Sequence, residues 1–315
     1  MQRLIVPKFL LLIGLSLLAC SNRAAATGGP LWELRMNTGM EQTRGTLQWS
    51  IGGGSGPDIL SELTYGELQF RRFHLNAELA WQQGGLSDYA LLLEFSSGEA
   101  SEGKVQDSDY QGDGRTGEYS RSYSSARGSS MSDLGLGLAR QFRLGRGLVV
   151  TPMLGVALKQ QRMLMTEGVQ ALDTANPQRV GPFRHSLNSR YEALWRQYWM
   201  GLRWGVENAG QHLALDVRAL WLDYSAVADW NLRNDFAHPK SFSQGARGSG
   251  YSVQLEYRLQ ISSVASFWLQ YYRQDWQTDP GQDRVYFATG GRSDSRLNGV
   301  SWQATGVTTG LNLRF

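Results

Sequence analysis

Tyr251-Ser252-Val253-Gln254-Leu255-Glu256-Tyr257-Arg258-Leu259-Gln260-Ile261 alternates apolar and polar side chains without a break. In an extended chain successive side chains point to opposite faces, so this stretch has one apolar and one polar face. An amphipathic helix would not place a polar group at every second position. The same pattern recurs in Phe73, Leu75, Ala77, Leu79 and Trp81, interleaved with Arg72, His74, Asn76 and Glu78. It recurs again in Leu213, Leu215, Val217 and Ala219 against His212, Ala214, Asp216 and Arg218. Such strands suit a closed barrel with lipid outside and a polar lumen inside.

Working outward, the alternation predicts an all-β fold. Ten strands are expected, near 31–49, 58–82, 88–99, 131–143, 148–166, 191–206, 211–226, 249–262, 264–277 and 297–315. Short connections near 83–87, 144–147, 207–210 and 262–264 alternate with long ones at 50–57, 100–130, 167–190, 227–248 and 278–296. Short periplasmic turns alternating with long extracellular loops is the pattern of a ten-stranded antiparallel transmembrane β-barrel. The last strand, Leu311-Asn312-Leu313-Arg314-Phe315, closes on an aromatic residue, as outer-membrane barrels often do.

Residues 1–26 read as a signal peptide. Arg3 and Lys8 give a positive start, Phe9 to Leu18 a short apolar core, and Ala24-Ala25-Ala26 a small-residue cleavage site. Leu17-Leu18-Ala19-Cys20 also resembles a lipoprotein signal, in which Cys20 would carry lipid. Cleavage after Ala26 would remove the only cysteine. Residues 27–315 are expected to form one barrel domain in the bacterial outer membrane. After the signal no run approaches the ~18 apolar residues of a membrane helix. A mean hydropathy of −0.36 fits strands whose polar half faces a lumen. The 37 glycines, 11 tryptophans and 13 tyrosines suit tight turns and aromatic girdles.

A net charge of +3 is too small to argue for a nucleic-acid partner. No metal-ligand spacing, phosphate-cradling glycine motif or nucleotide fingerprint occurs, so no cofactor is expected. Asp107 and Asp109, at i and i+2 on an extended segment, point the same way. Like charges held close raise one pKa, so such a pair can share a proton and activate water; a solvated polar loop is the plainer reading. Asp229, Asp235 and His238 fall in the expected loop 227–248, where a carboxylate could orient a histidine as general base. A loop histidine is more often merely exposed. Ser120-Arg121 has no base beside it in sequence.

These motifs in this order resemble the omptin family of outer-membrane aspartyl endopeptidases. Ile59-Leu60-Ser61-Glu62-Leu63-Thr64-Tyr65 resembles the omptin second strand, Asp107-Ser108-Asp109-Tyr110 its second outer loop, and Glu118-Tyr119-Ser120-Arg121 the segment that follows. The resemblance runs from about residue 31 to 315. It implies hydrolysis of polypeptides by water held between Asp107 and Asp109 on one side and an Asp-His couple on the other. The couple would use Asp229; Asn231 stands where its histidine is expected, leaving His238 as the candidate base. Glu41 is a candidate for the acidic specificity pocket. Outer-membrane lipid, in particular lipopolysaccharide, is implied as a partner and activator at the outer rim. Two other readings stand beside this one. The first is a non-catalytic barrel acting as adhesin or surface receptor. The second is a small channel, ranked last because Arg72, Glu78, Arg218, Glu256 and Arg258 would pair inside the lumen and plug it.

Overall fold

The computed structural model describes residues 31–52, 56–145 and 147–315. The signal-peptide reading of residues 1–26 and the lipid reading of Cys20 lie outside the described residues. Fourteen strands occur in the described residues: β1 (Trp32–Gly52), β2 (Ser61–Trp81), β3 (Tyr89–Gly112), β4 (Thr116–Ser125), β5 (Ser130–Arg140), β6 (Phe142–Gly145), β7 (Leu148–Asp173), β8 (Gly181–Pro182), β9 (Asn188–Asn208), β10 (Gln211–Asp229), β11 (Phe242–Gln260), β12 (Ala265–Thr278), β13 (Gly281–Tyr286) and β14 (Arg292–Arg314). They form one antiparallel sheet that closes on itself, because β1 pairs with both β2 and β14. β4 and β5 are two segments of one stave, since both pair with β3 and β7. β12 and β13 likewise share the place between β11 and β14. The ring therefore has ten staves, as the alternation predicts, and closure leaves no edge to satisfy in lipid.

The expected long loops are shorter than read, because the strands continue beyond the lipid band. The polar stretch 100–130 is not a loop. It is the upper half of β3, a turn at 113–115, and β4. Asp107 and Asp109 thus sit on a strand, opposite Ser122 and Ser120 of β4. The alternation that exposes strands in sequence needs lipid on one face. Above the membrane both faces meet water, and the signal fades while the ladder continues.

Outward-facing Leu136, Leu138, Leu154, Val156, Leu213, Leu255 and Leu269 form the exposed apolar band, with Tyr198, Trp221, Tyr251 and Tyr271 among its aromatic residues. The inward face is charged and filled. Arg218 holds Glu94 through two hydrogen bonds of 3.0 and 2.7 Å, contacts Asp216 at 3.2 Å and lies 4.3 Å over the Trp199 ring. Arg72 joins Glu41 at 3.4 Å and also binds Asp133, which Lys159 reaches at 3.1 Å. Arg203 bridges Glu78 and Asp216, and Arg258 holds Glu256 at 2.8 Å. Buried charges are tolerated when paired in this way. The glycines of Leu134-Gly135-Leu136-Gly137-Leu138 serve the same packing: a Cβ at Gly137 would lie 2.8 Å from Trp199, so the indole fills the space that the glycine leaves. Cavities of about 70 and 40 Å³ lie between these groups.

A bulge resets which residues face inward. In the β2–β3 pairing the register shifts between Gly66 and Gln69, around Glu67 at φ 51°. Below it Phe70 and Arg72 point inward; above it Tyr65 and Leu63 do. One inserted residue changes the parity of a strand. β3 carries its own inserted residue, Ser101, at a second shift where Gln69 pairs with Glu102 and Phe70 with Ala100, and this one turns Asp107 and Asp109, paired with Leu63 and Ser61, toward the inside of the upper barrel.

Candidate functional site

Above the apolar band the staves enclose an open cleft of about 1210 Å³. Its floor is aromatic. Trp49 lies 6.0 Å from Tyr191 and 5.6 Å from Phe242, and Trp230 packs 4.7 Å from Phe242. Tyr191 donates to Gln244 at 2.6 Å, and Gln244 donates at 3.1 Å to Asp283, which itself lines the cleft. This layer separates the cleft from the charged lumen. Glu41 lies in that lumen, bonded to Thr43, Tyr272 and His74. It does not line the cleft, so the acidic-pocket expectation for Glu41 is corrected. The physical reason is depth: Glu41 pairs in register with Arg72, below the bulge.

Asp107 and Asp109 line the cleft together with Ser61, Ser120, Ser122 and Ser124. Burial pushes the Asp107 carboxyl well above the usual range; the neighbouring Asp109 adds to this, and Arg233 opposes it. Burial also raises Asp109, against hydrogen bonds from Ser61 and Ser120 and the charge of Arg233. Where two carboxyls interact, the second ionises against the charge of the first. Arg233, held by Asp235 at 3.0 and 2.9 Å, is the cation that faces the pair.

Asp229 and His238 do meet, with Nδ1 2.7 Å from Oδ1. Arg190 donates to the other Asp229 oxygen at 3.1 Å. These two hydrogen bonds outweigh partial burial and hold the Asp229 carboxyl below its ordinary range. Along β10, however, Ala226 and Ala228 are the buried, inward residues, and Asp229 belongs with exposed Val227 on the other face. Arg190 has the same outward parity on β9, beside buried Ser189 and Tyr191. Neither Asp229 nor His238 is among the residues that line the cleft. The four candidate residues therefore form two pairs on opposite faces of the barrel wall.

Asn231 does line the cleft. Its Oδ1 accepts from the Asn188 amide at 2.9 Å and from Ser189 Oγ at 3.0 Å, and its Nδ2 donates to the Ser186 carbonyl at 2.9 Å. His185, in the connection between β8 and β9, lines the same cleft. In the sequence His185 is a loop histidine with no motif around it. The folding back of residues 174–187 onto β7, through the β7–β8 pairing at Val169 and Gln170, carries it there. That short pairing has no apolar alternation to reveal it.

A family model described as Pom, Protochlamydia outer membrane protein, matches residues 37–315. The chain belongs to this family. It is an outer-membrane β-barrel, and its relatives in fold are bacterial outer-membrane proteins. The outer membrane protease OmpT from Escherichia coli superposes with a TM-score of 0.73, covering 93% of this chain and 99% of that one, at 12% identity. At that identity the likeness is one of fold, and the omptin resemblance stands as structural. The translocator domain of the autotransporter NalP from Neisseria meningitidis matches at a TM-score of 0.36 and 11% identity, over 97% of this chain and 96% of its own. The outer membrane protein OprG from Pseudomonas aeruginosa matches at 0.36 and 9%, over 91% and 98%. No curated protein matches in sequence.

Proposed function

We propose that this barrel is a surface hydrolase of polypeptides in which Asp107 and Asp109, sharing one proton, activate water at the cleft. The observation that carries this reading is the pair itself: two carboxyls pushed upward together in the wall of an open cleft. Buried, coupled carboxyls that split one proton are the arrangement with which aspartic peptidases activate water. The outward-facing Asp229 and His238 take no part in this reading. Lipopolysaccharide remains the proposed lipid partner, supported by outward Arg44, Arg71 and Arg273 above the apolar band; planar guanidinium groups suit phosphate.

A second reading, a non-catalytic receptor or adhesin, is favoured by one observation. Arg233 faces the Asp pair and would hold it as a static ion cluster. The test is cleavage of a quenched peptide library by the refolded barrel with lipopolysaccharide, beside the double variant Asp107→Ala/Asp109→Ala. Cleavage is expected in the wild type and at least ~100-fold less in the variant. A folded wild type that cleaves nothing would make the cleft a binding site.

A further inference from the structure

Peptide hydrolysis needs a proton for the departing amine as well as a base for water. Of the four histidines, His74 bonds to Glu41 and His212 lies against Arg258 in the lumen, and His238 lies on the outer face with Asp229. His185 is the histidine that faces the cleft. We propose that His185 is the proton donor to the leaving amine, and that Asn231 is the positioning residue that holds its segment in place. This inference rests on the hydrolase reading above.

The segment around His185 is anchored on both sides. Before it, the Phe183 amide donates to the Gly168 carbonyl at 2.9 Å. A Cβ on Gly168 would fall 2.2 Å from the Phe183 ring, so the absent side chain is what lets that ring seat. After it, Leu187 packs against the buried core. Asn231 then bonds the Ser186 carbonyl, the Asn188 amide and the Ser189 hydroxyl, three groups within four residues of His185. A loop held this way presents its imidazole at small entropic cost. The asparagine at the position where a histidine was expected thus holds the connection that carries a histidine from elsewhere in the chain.

A peptide lies in the cleft between the Asp pair and His185. The ionised member of the pair takes a proton from water as the water oxygen bonds to the carbonyl carbon. The C–N bond breaks, and the His185 imidazolium gives its proton to the nitrogen that leaves as the amine. Solvent then carries the proton on the pair back to the imidazole. Water is the only co-reactant.

The test compares the full-length barrel with His185→Gln, Asn231→Ala and Asn231→Asp in the same peptide assay, with folding checked by the heat-dependent gel mobility of the barrel. His185→Gln is expected to lower kcat by ~100-fold or more with little change in KM. Asn231→Ala is expected to lower kcat by about tenfold. Asn231→Asp, which keeps the acceptor for Asn188 and Ser189, is expected to recover most of that loss. A His185→Gln barrel that cleaves at the wild-type rate overturns the inference and leaves the Asp pair standing. Dependence on His238 in place of His185 does the same. Absence of cleavage by the folded wild type overturns the inference together with the reading beneath it.

Discussion

At the scale of single residues, the Asp107 carboxyl has a consequence for stability apart from any chemistry. Its pKa is raised on folding, chiefly by burial and then by Asp109. From the ordinary carboxylate range upward the folded barrel therefore holds a proton that the unfolded chain has released. Stability must fall as pH rises through that window and return on acidification. Asp107→Asn removes the titration and is expected to make the barrel more heat-resistant at pH 8, with a smaller difference between pH 8 and pH 5. Thermal unfolding of both proteins at the two pH values checks this, and a variant with the wild-type slope would refute it. The i, i+2 spacing of this pair was legible in the sequence, because strand geometry alone sends both side chains the same way. The disposition of Asp229 and His238 was not. Their contact depends on where the 230–241 connection turns, and their outward direction depends on the parity of β10.

At the scale of the strand, the outward face decides which substitutions the lipid tolerates. Leu255 lies at the middle of the alternating stretch of β11 and is exposed on the outer face. Leu255→Arg is expected to cost about 2–4 kcal/mol, the penalty for a cation near the bilayer midplane. Denaturant unfolding from vesicles measures it; a cost below about 1 kcal/mol would place Leu255 outside the hydrocarbon. The staves that cross the lipid were readable for this reason, since there the alternation is enforced by solvent. The expected 249–262 and 211–226 fall within a few residues of β11 below its upper extension and of β10. Where water meets both faces, as in upper β3 and β4, the sequence carries polar residues that look like loop. The bulge at Glu67 was equally hidden, because a single residue at positive φ leaves no mark in a hydrophobic pattern. Yet that residue determines whether Tyr65 and Leu63 face the cleft or the surroundings, as the inserted Ser101 of β3 does for Asp107 opposite Leu63.

At the scale of the whole molecule, the lumen is a column of paired charges capped by an aromatic floor, with cavities of about 70 and 40 Å³ between the side chains. Reconstituted in a planar bilayer, the barrel is expected to give no conductance steps above the protein-free baseline. Steps that scale with protein concentration would contradict a plugged lumen. The column of ion pairs also sets how the barrel responds to heat. Hydration of charged groups carries a strongly negative entropy, so the cost of keeping Arg72, Arg218 and their carboxylates from water shrinks as temperature rises, while the benefit of apolar burial per unit area levels off. A barrel filled this way gains ground, relative to one filled with hydrocarbon, the warmer its surroundings become.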